Sequence, residues 1–265
     1  MRLVTAEQIS EALTMLGIQP GDGLLIHSAI QYLGHPTGGL EMYYRVFCNA
    51  LNIDPSSTDQ APGLHGTLAV PTFSFAFAQG EAYDPINSPS VGMGSFSEYV
   101  RTRPAARRTP HPMQSLAVVG GYAADLTSRD TPYAFDPGSA FERMLELDFK
   151  LLLLGADIQA VSMLHYSEQR AAVPYRYWKE FSGLYRTPRG WETRTYRLFV
   201  RDLDVDAKIE LYPIQRSLQT QEKWLSLSLN YGEIATCRLA DLVAEIDRWL
   251  AHDPWSLVTN RPTDE

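Results

Sequence analysis

Four short runs of this chain are apolar at every position: Leu24-Leu25-Ile26, Leu68-Ala69-Val70, Leu116-Ala117-Val118-Val119 and Leu151-Leu152-Leu153-Leu154. A strand with one wet face alternates apolar and polar side chains. One covered by helices on both faces is apolar throughout. Capping boxes punctuate the same region, pairing Thr5 with Gln8, Ser95 with Glu98 and Ser139 with Glu142. In each, a hydroxyl stands three residues before a Glu or Gln that can return its hydrogen bond. The first opens a stretch with Ile9, Leu13 and Leu16 at helical spacing. Strand–helix alternation over residues 20–170 predicts an α/β domain with a largely parallel sheet.

The character changes after Glu168. Residues 193–213 alternate partially, as antiparallel strands do, and helices are expected at 215–225 and 239–250. The second carries Leu239, Leu242, Val243, Ile246 and Leu250 on one stripe. The Pro-, Ser-, Asp- and Gly-rich stretch 52–66 reads as a long loop. With 45% hydrophobic and 20% charged residues, 265 residues are ample for one folded domain. The net charge of −8 disfavours nucleic acid and anionic membranes as partners. No apolar run approaches a bilayer span, and the first ten residues lack the pattern of a signal peptide, so a cytoplasmic protein is expected. Cys48 and Cys237 sit in apolar, helix-like stretches with no metal-type spacing.

Candidate chemistry gathers after the strands, where ligands of α/β proteins bind. His27-Ser28, Thr72-Phe73-Ser74, Gly120-Gly121 and Gly155 occupy such positions, although hydroxyls there also cap helices. Pro36-Thr37-Gly38-Gly39 and Gly92-Met93-Gly94 are turns feeding helical stretches. The first is a weak anion-binding signal and reads more simply as a turn. Arg107-Arg108-Thr109-Pro110-His111-Pro112 is a stiff basic loop, suited to a phosphate or carboxylate or else merely solvated. The sharpest feature is His165 with Glu168. On a helix they share a face, and a carboxylate beside an imidazole orients it as a general base, or the two form a structural pair. A third metal ligand and HExxH spacing are lacking, so no metal is expected. From Arg170 to Arg201 seven arginines and Lys179 face only Glu180 and Glu192, a net of +6. Such a stretch suits a phosphate-bearing ligand, or it is paired with acidic neighbours elsewhere.

Taken in order, Gly21-Asp22 with His27-Ser28, Gly38-Gly39 with Glu41, Pro71-Thr72-Phe73-Ser74, Gly92-Met93-Gly94, His111-Pro112 with Ser115, and Leu153-Leu154-Gly155 leading to His165 and Glu168 resemble the aminoglycoside 3-N-acetyltransferase family. The resemblance implies a mixed α/β sandwich distinct from the GNAT fold, and one acyltransferase domain over residues 1–265. Within it, 1–170 would form the cofactor-binding and catalytic core and 171–265 an acceptor or interaction subregion. It implies acetyl-CoA or another acyl-CoA as co-substrate, no metal, a small-molecule amine as acceptor, and a homodimer. It makes His165 the general base oriented by Glu168, and Thr72 a hydrogen-bond donor to the oxyanion. His27, Ser28, Ala29, Gly92 and Met93 would hold the pantetheine arm. Arg108, His111 and Ser115 would lie near the nucleotide or pyrophosphate. Asp84, Arg176, Trp178 and Lys179 are candidates for the acceptor side.

The departures concern the acceptor. Ala29 stands where the family often has a second serine, Thr109-Pro110 alters the approach to His111, and the similarity fades past Arg170 into aromatic, basic residues. Aminoglycosides are polycations, whereas a +6 stretch suits a ring with a phosphate. The expectation is therefore an N-acyltransferase acting on an amino sugar, nucleotide-linked in one version, with aminoglycoside resistance as the alternative. An amide or ester hydrolase and a non-catalytic binding homologue remain as other classes.

Overall fold

The computed structural model describes residues 2–261. In chain order the strands are β1 (Leu3–Val4), β2 (Gly23–Ser28), β3 (His35–Pro36), β4 (Thr67–Pro71), β5 (Arg107–Arg108), β6 (Leu116–Gly120), β7 (Lys150–Leu154), β8 (Arg176–Thr187), β9 (Gly190–Arg201), β10 (Leu225–Leu229) and β11 (Gly232–Arg238). The helices are α1 (Ala6–Met15), α2 (Gly39–Leu51), α3 (Ser95–Arg101), α4 (Ala123–Thr127), α5 (Ala140–Glu146), α6 (Leu164–Arg170), α7 (Tyr212–Thr220) and α8 (Leu239–His252).

One sheet of seven strands, ordered β10-β11-β7-β2-β4-β6-β5, organises the chain. All four fully apolar runs lie in it, and alternate residues of each run enter two different cores. Leu25, Ala69, Val118 and Leu151 pack with α4, α5 and α8 through Leu126, Met144 and Ile246. Leu24, Ile26, Leu68 and Leu152 pack with α1, α2 and α3 through Leu13, Phe47 and Phe96. Each such leucine, fully buried, contributes about 1.5–3 kcal/mol.

The sheet is less parallel than the alternation predicts. Only β7, β2 and β4 run parallel, while β6, β5, β11 and β10 are antiparallel to their neighbours. The excursion 72–115 leaves β4 at Pro71 and returns opposite it at Leu116, at the same end of the sheet, so it is no crossover. Residues beyond 171 complete this sheet through β10 and β11, with Ile234 opposite Leu154.

Thr5 and Gln8 form the expected capping box. Ser139 caps α5, but the Glu142 carboxylate accepts instead from the Gly138 N–H. The Ser95 box is corrected: Ser95 is already helical, and Glu98 holds Ser90 and Arg101. The helix expected at 215–225 is α7, which starts at Tyr212 with Pro213 in its first turn and ends before β10. Cys237 lies in β11, a strand, and both cysteines are buried and free. The aromatic, basic stretch builds a long hairpin, β8 and β9, paired from Arg176 opposite Arg201 to Thr187 opposite Gly190. Residues 52–66 form the expected loop without helix or strand. Among the described residues no helix is long and apolar enough to cross a membrane.

Candidate active site

A cleft of about 770 Å³ opens beyond the carboxyl ends of β2, β4 and β7, the place where parallel strands hand their loops to a ligand. His27, Ser28 and Ala29 come from the end of β2, and Pro71 and Phe73 from the end of β4. Gly92, Met93 and Gly94 come from the turn before α3. Gly94 adopts φ +86°, and a Cβ there would lie 3.2 Å from the Ser28 carbonyl, so the turn is pressed onto the end of β2. The remaining wall comes from Gln159 to Ser162, from Leu164 and His165 of α6, and from Arg176 and Arg201 at the open end of the hairpin.

His165 and Glu168 share a face of α6 as their spacing predicts. His165 Nδ1 lies 2.7 Å from Glu168 Oε2, and the ring packs edge-on to Phe135 at 5.9 Å. With Nδ1–H donating to the carboxylate, Nε2 is the ring nitrogen left for a ligand. His165 is 30% exposed, whereas Glu168 is fully buried. Arg176 also supports that carboxylate: its Nε is 2.8 Å from the same Oε2. Burial alone would push the Glu168 acid up, but the His165 hydrogen bond and charge, with the Arg176 guanidinium, outweigh it and hold the carboxyl below its ordinary value. Burial and the nearby carboxylate push the Tyr175 phenol up. His27 also faces the cleft, with Nε2 3.3 Å from Ser162 Oγ, and burial pushes its imidazole down to about 4. It is a neutral ring at pH 7.

Seven residues singled out in the sequence thus line one cleft: His27, Ser28, Ala29, Gly92, Met93, His165 and Arg176. Others do not, for physical reasons. Thr72 is fully buried, and its hydroxyl is engaged by Ser115 and Arg108 behind β4, so it does not face an oxyanion in the cleft. Arg108 donates to Ser115 Oγ, Thr72 Oγ1, and the carbonyls of Ser88 and Thr72, so each of its three nitrogens is engaged inside the protein, and it does not line the cleft. Ser115 Oγ donates 2.8 Å to the Thr72 carbonyl. His111 is a buried cap: the Gln114 N–H donates to Nδ1, Nε2–H donates to the Arg197 carbonyl, and burial pushes the ring down to about 4. Asp84 closes its own turn on the N–H groups of Ile86 and Asn87. Trp178 stands on the hairpin against Tyr133, Phe199 and Arg197, and Lys179 lies over Phe181, both off the cleft. Arg176 is in the cleft, but its charge is already met by Glu168.

Sequence reasoning passed over Gln31, Ser97, Gln159 and Ser162 as single residues, and took Arg201 only as the end of the basic stretch. Gln159 and Ser162 lie in the connection from β7 to α6, five and eight residues past the strand, so a strand-end rule that stops at the first polar residues misses them. Nothing in the composition of the basic stretch separates Arg201 from its six neighbours. Four of those are paired: Arg170 with Asp247, Arg176 with Glu168, Arg194 with Asp130 and Arg197 with Asp136. Among the described residues no three His, Cys, Asp or Glu side chains cluster as metal ligands. The cleft's volume falls within the range of small-molecule sites. Its apolar lining at Met93, Phe73, Val161 and Leu164 beside polar Ser28 and Ser162 fits an arm of alternating alkyl and amide groups such as pantetheine.

Comparison with known proteins gives a consistent picture. The family model for aminoglycoside 3-N-acetyltransferases matches residues 25–251. Aminoglycoside N(3)-acetyltransferase III of Salmonella is 31% identical over 181 residues, 66% of this chain and 63% of that protein. The type VII enzyme of Streptomyces paromomycinus is 30% identical over 192 residues, 64% of this chain and 62% of that protein. The aligned part of the chain therefore spans less than two thirds of these relatives' length. The structure of AAC-IIIb in its binary complex with CoASH superposes with a TM-score of 0.81 at 21% identity, covering 98% of this chain and 100% of that one. Apo aminoglycoside acetyltransferase AAC(3)-IVa gives 0.77 at 24% identity, covering 97% and 92%. These likenesses establish the mixed α/β fold.

Proposed function

The chain belongs to the aminoglycoside 3-N-acetyltransferase family, and from that premise we propose that it is an acyl-CoA-dependent N-acyltransferase whose acceptor is the primary amine of an amino sugar. The observation that carries this reading is His165, which lines a cleft of suitable size while its Nδ1 is held on the buried Glu168 carboxylate.

An alkylammonium must lose a proton before its nitrogen can attack. His165 Nε2 takes the proton that the nitrogen gives up as it bonds to the thioester carbonyl carbon. It returns a proton to the sulfur as the carbon–sulfur bond breaks, leaving an amide and free CoA thiol. Glu168 orients the ring and stabilises the imidazolium formed in between, and Arg176 keeps that carboxylate ionised. Ser28, Ala29, Gly92 and Met93 hold the pantetheine arm. The described residues beyond 170 act with the core as one unit, contributing Arg176, Arg201, Ile209 and Leu211 to the cleft wall on the acceptor side.

Within this chemistry a nucleotide-linked amino sugar is the finer assignment. The alternative, an aminoglycoside, is supported by the names of the relatives. His165→Ala tests the mechanism: kcat should fall by about 10²–10⁴-fold, the usual weight of a general base. A loss under about threefold in a variant with unchanged circular dichroism removes His165 from the chemistry.

A further inference from the structure

The open end of the hairpin sets Arg176 and Arg201 directly opposite one another, and both line the cleft. Like charges at opposed strand positions repel, so such a pair persists where an anion meets it. Arg176 has its anion inside the protein, 2.8 Å away in Glu168. Arg201 is exposed, and among the described residues no carboxylate pairs with it. The adjacent Asp202 turns Oδ1 to the N–H of Asp204 instead. The lining residues of the cleft include two arginines and two histidines, and no Asp or Glu. Arg201 lines the same cleft as His165, the group that would deprotonate the amine, and its strand partner Arg176 shares the Glu168 carboxylate with that histidine.

We infer that Arg201 receives a phosphate or carboxylate carried by the amine acceptor, which makes the substrate an anionic amino sugar derivative and not a polycation. The inference rests on the acyl-transfer reading and narrows it. A guanidinium presents its donors as a planar fork that matches either anion. A polycationic acceptor would bring more positive charge to walls that already carry it, with no carboxylate lining to receive its ammonium groups.

The test compares thiol release from acetyl-CoA with 3-amino-3-deoxyglucose, its 1-phosphate and a polycationic aminoglycoside, in the wild type, R201A and R201K. The wild type should prefer the phosphate over the unmodified sugar by about tenfold to hundredfold in kcat/KM, the size of one charge-assisted hydrogen-bonded pair. R201A should bring that ratio near one through the acceptor KM, and R201K should restore part of it. Equal use of the two sugars by the wild type, or faster turnover of the polycation than of the phosphate, overturns the inference. So does an R201A effect confined to the KM for acetyl-CoA, which would put the anion on the donor. Calorimetry separates the two levels of the argument. Acetyl-CoA that binds the wild type leaves the acyl-transfer reading standing when the phosphate preference is absent. Acetyl-CoA that fails to bind overturns that reading and this inference with it.

Discussion

Glu168 is fully buried, with a histidine and an arginine both on Oε2. Removing its charge strands the Arg176 guanidinium in a buried position, and breaking a buried pair from one side costs about 3–5 kcal/mol. Glu168→Gln should lower stability by that amount in urea unfolding, and adding Arg176→Met should recover much of it, because the orphaned charge is gone. A single variant within about 1 kcal/mol of the wild type would mean that the pair behaves as an exposed one. The same residues show what one sequence can disclose. The His165–Glu168 spacing is local, and a helix guarantees the encounter. The partner of Arg176 lies outside its own strand, and the Ser88 and Thr72 oxygens that engage Arg108 and the Arg197 carbonyl that binds His111 are distant in the chain. Thr72, Arg108, His111 and Ser115 look chemical in the sequence because they are polar residues near strand ends. In the fold Thr72, Arg108 and Ser115 satisfy one another, and His111 is held by backbone groups.

At the scale of elements, the strands with two covered faces were legible because burial on both sides leaves a run without polar interruptions, as in β2, β4, β6 and β7. β8 was not, since Lys179 on one face and Glu180 and Ser182 on the other leave both partly wet among aromatics, a pattern that belongs to neither template. β10 and β11 were hidden for another reason. Their place beside β7 is set by pairing across some 80 residues of chain, Cys237 opposite Leu151, which no local period announces. The end of β7 offers a direct test of how elements build the cleft. Gly155 adopts φ +71°, and a Cβ there would lie 2.7 Å from the carbonyl of Ala29, which lines the cleft. Gly155→Ala should destabilise the protein by about 1–3 kcal/mol from the left-handed backbone and the clash together. It should also raise the KM for acetyl-CoA by displacing Ala29. Thermal unfolding and steady-state kinetics read the two effects, and an alanine variant with wild-type midpoint and KM contradicts the close approach.

At the scale of the whole molecule, two buried histidines link the fold to pH. His27 and His111 are both held down to about 4 by burial, against an ordinary value of 6.5. Above pH 6.5 both are neutral in folded and unfolded chains and add no pH dependence. Between 6.5 and 4 the unfolded chain binds protons that the folded one refuses, so stability falls with pH by up to about 3 kcal/mol for each histidine. His111→Asn keeps an acceptor for the Gln114 N–H and should reduce the slope of unfolding free energy against pH to roughly half across that window. An unchanged slope contradicts the burial of a neutral ring at 111. The account as a whole turns on whether this cleft moves an acyl group from a thioester to an amine. The most direct measurement is thiol release from acetyl-CoA by the intact protein against a panel of amino sugars, phosphorylated and not, with water alone as the control. The structure predicts thiol release that requires the amine and yields one amide for each thiol. Release that is equal without any amine would make the protein a thioester hydrolase, and no release with any member of the panel, from a protein that folds, would contradict the account.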